Sequence, residues 1–105
     1  MRHMDKKVYP NDGISRILMG VPEDHSHLRT IIETNKGETL VFQEATIAAL
    51  VRAYTDIKTH PRKTGVELAL KELESTKTGY APFQLMETED SERSIADKLK
   101  KIFPK

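Results

Sequence analysis

Residues 28–43 decide the fold, and they read LRTIIETNKGETLVFQ. Two runs rich in β-branched and aromatic residues, Leu28 to Glu33 and Thr39 to Gln43, flank the turn-forming stretch Asn35-Lys36-Gly37. A glycine at this place can take the left-handed backbone conformation that a tight hairpin connection requires. The stretch therefore predicts a β-hairpin.

A further strand is predicted ahead of this hairpin. The turn signal Asn11-Asp12-Gly13 is followed by the apolar run Ile17-Leu18-Met19, and Pro22 ends the pattern because proline cannot donate to a strand ladder. We predict a strand over 15–21. Its apolar run is too continuous for burial on one side only, so we expect both faces of the strand to be covered. With the hairpin, this strand predicts a three-stranded antiparallel meander.

From Thr46 the apolar residues repeat at the period of an α-helix. The predicted inward stripe is Ile47, Leu50, Val51, Tyr54 and Ile57. The helix should end near His60, because the residue before Pro61 is pushed out of helical geometry. These features predict one amphipathic helix with this stripe on the core.

A second helix is predicted from Thr64 onward. Thr64-Gly65-Val66-Glu67 has the form of a capping box, in which the Thr and Glu side chains bond the first free backbone N–H groups. The apolar stripe of this helix would be Val66, Ala69, Leu70 and Leu73. A fourth strand is predicted over residues 80–86, where Pro82 favours an edge position.

A last helix is predicted behind an N-cap at Asp90 or Ser91, with apolar positions Ile95, Leu99, Ile102 and Phe103. The predicted element order is βββααβα. It indicates an α+β fold, with a three-stranded antiparallel meander plus a fourth strand and about three helices packed on one face. A chain of 105 residues has the size of one compact domain, which we predict over 1–105, with 1–10 as a loosely ordered N-terminal segment.

Composition narrows the functional classes. The 17 basic and 16 acidic residues nearly cancel, which argues against a protein that binds nucleic acid through overall positive charge. The absence of Cys excludes disulfide scaffolds, Cys-based zinc sites and thiol chemistry. No apolar run approaches the length of a membrane span and no secretory signal is recognisable, so we predict a cytoplasmic protein without membrane contact.

One stretch has the composition of an anion-binding site. The residues Lys58, His60, Arg62, Lys63 and Thr64 form a turn with three fixed positive charges and no acidic residue. The predicted second helix would begin there, and a helix N-terminus favours an anion. The glycine-rich run of a P-loop is missing, however. The other interpretation is a solvated basic loop between two helices.

A histidine pair offers a weaker signal for metal binding. His25 and His27 would project to the same side of an extended segment, but a stable zinc site needs three or four protein ligands. We therefore predict no metal site and no cofactor, and we interpret the pair as polar residues of the loop between the first two strands. No catalytic motif is recognisable, so no catalytic residue is predicted.

Two functional hypotheses follow. The first is a small non-enzymatic interaction protein, acting as a homodimer or through a protein partner, because small sheets with an exposed edge often bury it by association. The alternative is a nucleic-acid- or phosphate-binding module that uses the turn from Lys58 to Lys63. A small enzyme ranks third.

Overall fold

The computed structural model describes residues 6–73 and 83–103. The elements are a 3₁₀ turn (Asn11–Gly13), β1 (Ile14–Gly20), β2 (Arg29–Thr34), β3 (Thr39–Gln43), α1 (Glu44–Thr59), β4 (Leu68–Glu72), β5 (Phe83–Glu87) and α2 (Glu92–Ile102). The α+β class is confirmed. The chain forms two compact units, the first ending at Glu44 and the second beginning at Ala45, and each is described by itself.

The first unit contains the predicted meander. Strands β1, β2 and β3 form an antiparallel sheet in chain order, so β2 is central and β1 and β3 are its edges. Leu18 of β1 and Val41 of β3 both lie opposite Ile31 of β2, and opposite residues in such a sheet share a face. A register shift near Ser15 marks a bulge at the start of β1.

The turn between β2 and β3 follows the prediction. Gly37 has φ +83° and its N–H donates to the carbonyl of Thr34 at 3.1 Å. The Thr34 hydroxyl oxygen accepts from the backbone N–H groups of Lys36 and Glu38, and Thr34 is itself buried. Local hydrogen bonds from glycine and threonine therefore fix the hairpin register.

The turn ahead of β1 also matches the prediction, as the 3₁₀ turn over Asn11–Gly13. It is joined to the hairpin because the N–H of Asn35 donates to the carbonyl of Gly13 at 2.9 Å. Upstream, the Tyr9 hydroxyl donates to Glu38 Oε1 at 2.9 Å. The loose order expected of residues 1–10 stays a prediction, and residues 1–5 lie outside the described part of the chain.

Helix α1 ends at Thr59, as the proline at position 61 predicts, but the predicted inward stripe is wrong in part. Leu50, Val51 and Tyr54 are each more than half exposed, whereas Ala49 is buried. The helix turns Ala49 inward, where it lines a groove together with Leu68 and Leu85 of the β4–β5 pair. Small side chains let the helix backbone approach a neighbouring element, which periodicity does not reveal.

The predicted second helix is wrong, because the residues after Thr64 lead into strand β4. Val66, Leu68 and Leu70 alternate with polar or small residues, so the same stretch carries a strand period as well as a helix period. Strand β4 pairs antiparallel with β5, with Leu70 opposite Leu85. Because pairing with β5 supplies the ladder hydrogen bonds, tertiary context decides for the strand.

The predicted fourth strand is present as β5, but it belongs to a separate two-stranded sheet with β4. The first residues of the predicted range, 80–82, lie outside the described part of the chain. Two helices and five strands are therefore described, in the order βββαββα.

Helix α2 is capped by Ser91, one of the two predicted N-cap residues, whose hydroxyl accepts from the N–H of Ser94 at 3.1 Å. Its Ile95 is buried directly above Gly65. A Cβ atom on Gly65 would lie 2.9 Å from Ile95 Cγ2 and 3.2 Å from Leu99 Cδ1. Position 65 therefore has no room for a side chain while α2 stays in place.

Candidate functional site

The basic turn follows the end of α1. Lys58, His60, Arg62 and Thr64 are exposed there, and the turn is closed by the N–H of Lys63, which donates to the carbonyl of His60. The Lys63 side chain is instead directed inward. Its Nζ lies 2.5 Å from Asp56 Oδ2 on α1 and 2.8 Å from Glu87 Oε1 on β5. Lys63 thus joins a helix to a strand within the second unit.

These two carboxylates raise the pKa of Lys63 above its ordinary value, with Asp56 making the larger contribution. The ammonium group stays charged at neutral pH, but two negative charges already surround it. An incoming phosphate would have to compete with both carboxylates, which already bind this cation by charge-assisted hydrogen bonds.

The backbone at Thr64 is also engaged. Its N–H donates to Glu92 Oε2 at 3.4 Å, and no helix begins at this residue. The helix N-terminus that the anion-binding hypothesis requires is therefore not formed here. Anion binding by Lys58, His60 and Arg62 stays a prediction, without the support of Lys63 or of a helix dipole.

The histidine pair lies in the loop between β1 and β2, where both residues are exposed. His25 Nδ1 lies 3.0 Å from the carbonyl oxygen of Glu23, and Asp24 occupies the left-handed region at φ 66° within the same turn. Within residues 6–73 and 83–103, no group of three or more His, Cys, Asp or Glu residues could hold a metal ion.

A second ion-pair cluster holds α2 to one end of the β4–β5 pair, the end where Leu68 lies opposite Glu87. Lys98 Nζ lies 2.8 Å from Glu67 Oε2 and 2.5 Å from Asp90 Oδ2, and Thr88 Oγ1 donates to Glu67 Oε1 at 3.0 Å. The hydrogen bonds from Lys98 are the main reason why the pKa values of Glu67 and Asp90 both lie below their ordinary values. This cluster makes folding stability depend on pH.

We expect the unfolding midpoint to fall as the pH drops below about 4.5. A carboxyl group whose pKa is lowered by folding stabilises the protein above its unfolded-state pKa, and this contribution is lost as the pH falls through the folded-state value. Replacing Lys98 with Met should flatten the dependence of the melting temperature on pH between about pH 5 and 2. Lys100→Met, at an exposed position on the same helix, is the control. Equal pH profiles for the two variants would contradict the role of Lys98.

A groove lies between α1 and the β4–β5 pair. Its acidic residues Asp56 and Glu87 are both engaged by Lys63, and its other lining is mainly apolar. Among the described residues, the only buried side-chain polar atom without a partner is Thr30 Oγ1 in the other unit.

Strand β1 of the first unit exposes three consecutive apolar side chains. Ile17, Leu18 and Met19 are 58%, 53% and 52% exposed, although the sequence predicts that both faces of this strand are covered. The strand is also an edge, so its outer backbone N–H and C=O groups have no strand partner in the described chain. Sequence periodicity could identify the strand, but it could not show that residues 6–73 and 83–103 leave its apolar side chains exposed.

Comparisons with protein-family models, curated proteins and solved structures find nothing that matches this chain. A functional proposal therefore depends on the chemistry of its own residues.

Across the described ranges, no helix has both the length and the apolar character needed to cross a membrane.

Proposed function

We propose that this chain is a small non-enzymatic interaction protein that acts as a homodimer. The observation that carries the proposal is the exposed apolar edge formed by Ile17, Leu18 and Met19 on β1. A strand that is apolar on both faces is normally covered on both, and an open edge is a template for pairing with another chain. Association with a second copy along β1 would pair the open edge and place apolar side chains of the second copy beside those of β1.

The lack of a proline or an uncompensated charge within β1 supports this proposal. Edge strands that stay unpaired usually carry charges or proline along the strand. The only charged residue of β1 is Arg16, and its Nε donates to Glu33 Oε1 on the neighbouring strand at 2.6 Å. The charge is therefore compensated within the sheet and does not guard the open edge.

The small core is a second line of support. Among the described apolar residues, only Ala49 and Ile95 are buried, and many larger ones are exposed. A chain of this size buries a limited fraction of its surface when it folds alone. Exposed apolar surface of this kind is typical of proteins that associate.

The nucleic-acid- or phosphate-binding alternative has weaker support. It relies on Lys58, His60 and Arg62 alone, because Lys63 and the N–H of Thr64 already bind carboxylates. Exposed lysine and arginine side chains are common on protein surfaces and do not by themselves indicate a ligand. The homodimer is therefore the proposal that we put to test.

Size-exclusion chromatography with light scattering at about 100 μM protein should give twice the chain mass of 12.0 kDa. This concentration detects associations of modest affinity. A monomeric mass at this concentration would refute the homodimer.

A further inference from the structure

We propose that two copies join through antiparallel pairing of their β1 strands, with Leu18 of each copy directly opposite Leu18 of the other. This inference rests on the proposed homodimer and specifies its interface. The product would be one continuous six-stranded sheet, in which the strands follow the order β3-β2-β1-β1-β2-β3.

Symmetry limits the registers that this pairing can take. In a two-fold symmetric antiparallel pair, opposite residues share a face of the sheet, and side chains alternate between faces along each strand. The symmetry axis must therefore lie midway between the two copies of one β1 residue, so that this residue is opposite itself. An axis that placed a residue opposite its own chain neighbour would pair side chains from different faces. The apolar run offers three centres: Ile17, Leu18 and Met19.

The geometry of β1 selects the middle centre. The pairing of β1 with β2 is regular from Arg16 to Gly20, with the register shift before it and Pro22 soon after it. Leu18 is the midpoint of this regular stretch. A centre at Ile17 would draw the bulged residue Ser15 into the ladder, and a centre at Met19 would place Pro22 opposite Arg16, where proline lacks the N–H of a ladder residue.

The same register matches the side chains. With Leu18 at the centre, Ile17 lies opposite Met19 of the other copy, so every apolar residue of the run faces an apolar residue. Arg16 lies opposite Gly20, which has no side chain and leaves room for the ion pair between Arg16 and Glu33. No like charges are brought together across the interface.

The pairing also continues an apolar row that already crosses the sheet. Leu18, Ile31 and Val41 lie side by side on one face, one from each strand. Joining two copies at Leu18 would extend this row to six residues, with Val41 at each far end. Val41 is exposed to a degree similar to Leu18 and lies on the opposite edge, so it provides a matched control position.

Single-cysteine variants test the register, because the native chain contains no Cys. The Cα atoms of directly opposite residues in an antiparallel pair are about 4.5–5.5 Å apart, which a disulfide can span. Mild oxidation should convert Leu18→Cys to a covalent dimer on a non-reducing gel, whereas Val41→Cys should stay largely monomeric. A mixture of Ile17→Cys and Met19→Cys should cross-link more than either variant alone.

Light scattering on the native chain shows whether a negative cross-linking result contradicts only the β1 register or also the homodimer. A native dimer in which Val41→Cys cross-links and Leu18→Cys does not would overturn the β1 register and leave the homodimer intact. A native monomer would overturn both.

As a second measurement, Leu18→Lys should raise the dimer Kd at least about 10-fold and Val41→Lys less than about 3-fold, because only Leu18 would bring two lysines together. Equal effects of the two lysine substitutions would also overturn the register.

Discussion

Replacing Ala49 with Asp should abolish the cooperative unfolding transition of the unit that contains α1. Ala49 is only 1% exposed, so the new carboxylate would be buried on the inner side of α1, away from water. An uncompensated buried charge costs several kcal/mol, which is a large part of the roughly 5–15 kcal/mol that stabilises a typical domain. Thermal unfolding followed by circular dichroism provides the measurement.

Leu50→Asp is the matched control, because Leu50 is the next residue of the helix and is more than half exposed. We expect this variant to retain a sharp transition. If Leu50→Asp unfolds the protein and Ala49→Asp does not, the inward face of α1 is the stripe that the sequence predicts and not the one that the structure gives.

Replacing Ile95 with Ala should lower the free energy of unfolding by about 2–5 kcal/mol. Ile95 is the buried apolar residue of α2, and its Cγ2 occupies the space above Gly65. Alanine would leave a cavity there, because the glycine has no side chain with which to fill it. Even the lower value would reduce the melting temperature by at least about 8 °C in a domain of this size.

Ile102→Ala provides the control on the same helix, since Ile102 is 42% exposed. This change should alter the free energy of unfolding by less than about 1 kcal/mol. Equal losses in the two variants would mean that α2 is held by its whole apolar stripe and not mainly by the contact of Ile95 with Gly65.

Features fixed by local chemistry could be predicted from the sequence. The β2–β3 hairpin depends on Gly37 and the hydroxyl of Thr34, the end of α1 depends on Pro61, and the start of α2 depends on Ser91. Each depends on residues within a few positions of the turn or cap, where backbone geometry and hydrogen bonding leave few alternatives.

The remaining features depend on distant residues. Strand β4 carries both a helix and a strand period, and its pairing with β5 decides between them. The inward turn of Lys63 depends on Asp56 and on Glu87, and Glu87 lies 24 residues away with no fixed spacing to the basic turn. For this reason sequence reasoning could find the cluster of positive charges but not the carboxylates that surround one of them.

The order of strands in each sheet has a consequence for how the chain folds. In the described ranges, every ladder joins strands that are consecutive in sequence, β1 with β2, β2 with β3 and β4 with β5. The loops that close the first sheet span residues 21–28 and 35–38, and the longer loop costs only about 0.6 kcal/mol more closure entropy for its doubled length. Pairing between consecutive strands keeps the sequence separation of these ladder contacts shorter than in a sheet built by long crossovers, and shorter separations favour fast folding. The ladders of each sheet can therefore close by bringing together segments that are neighbours along the chain.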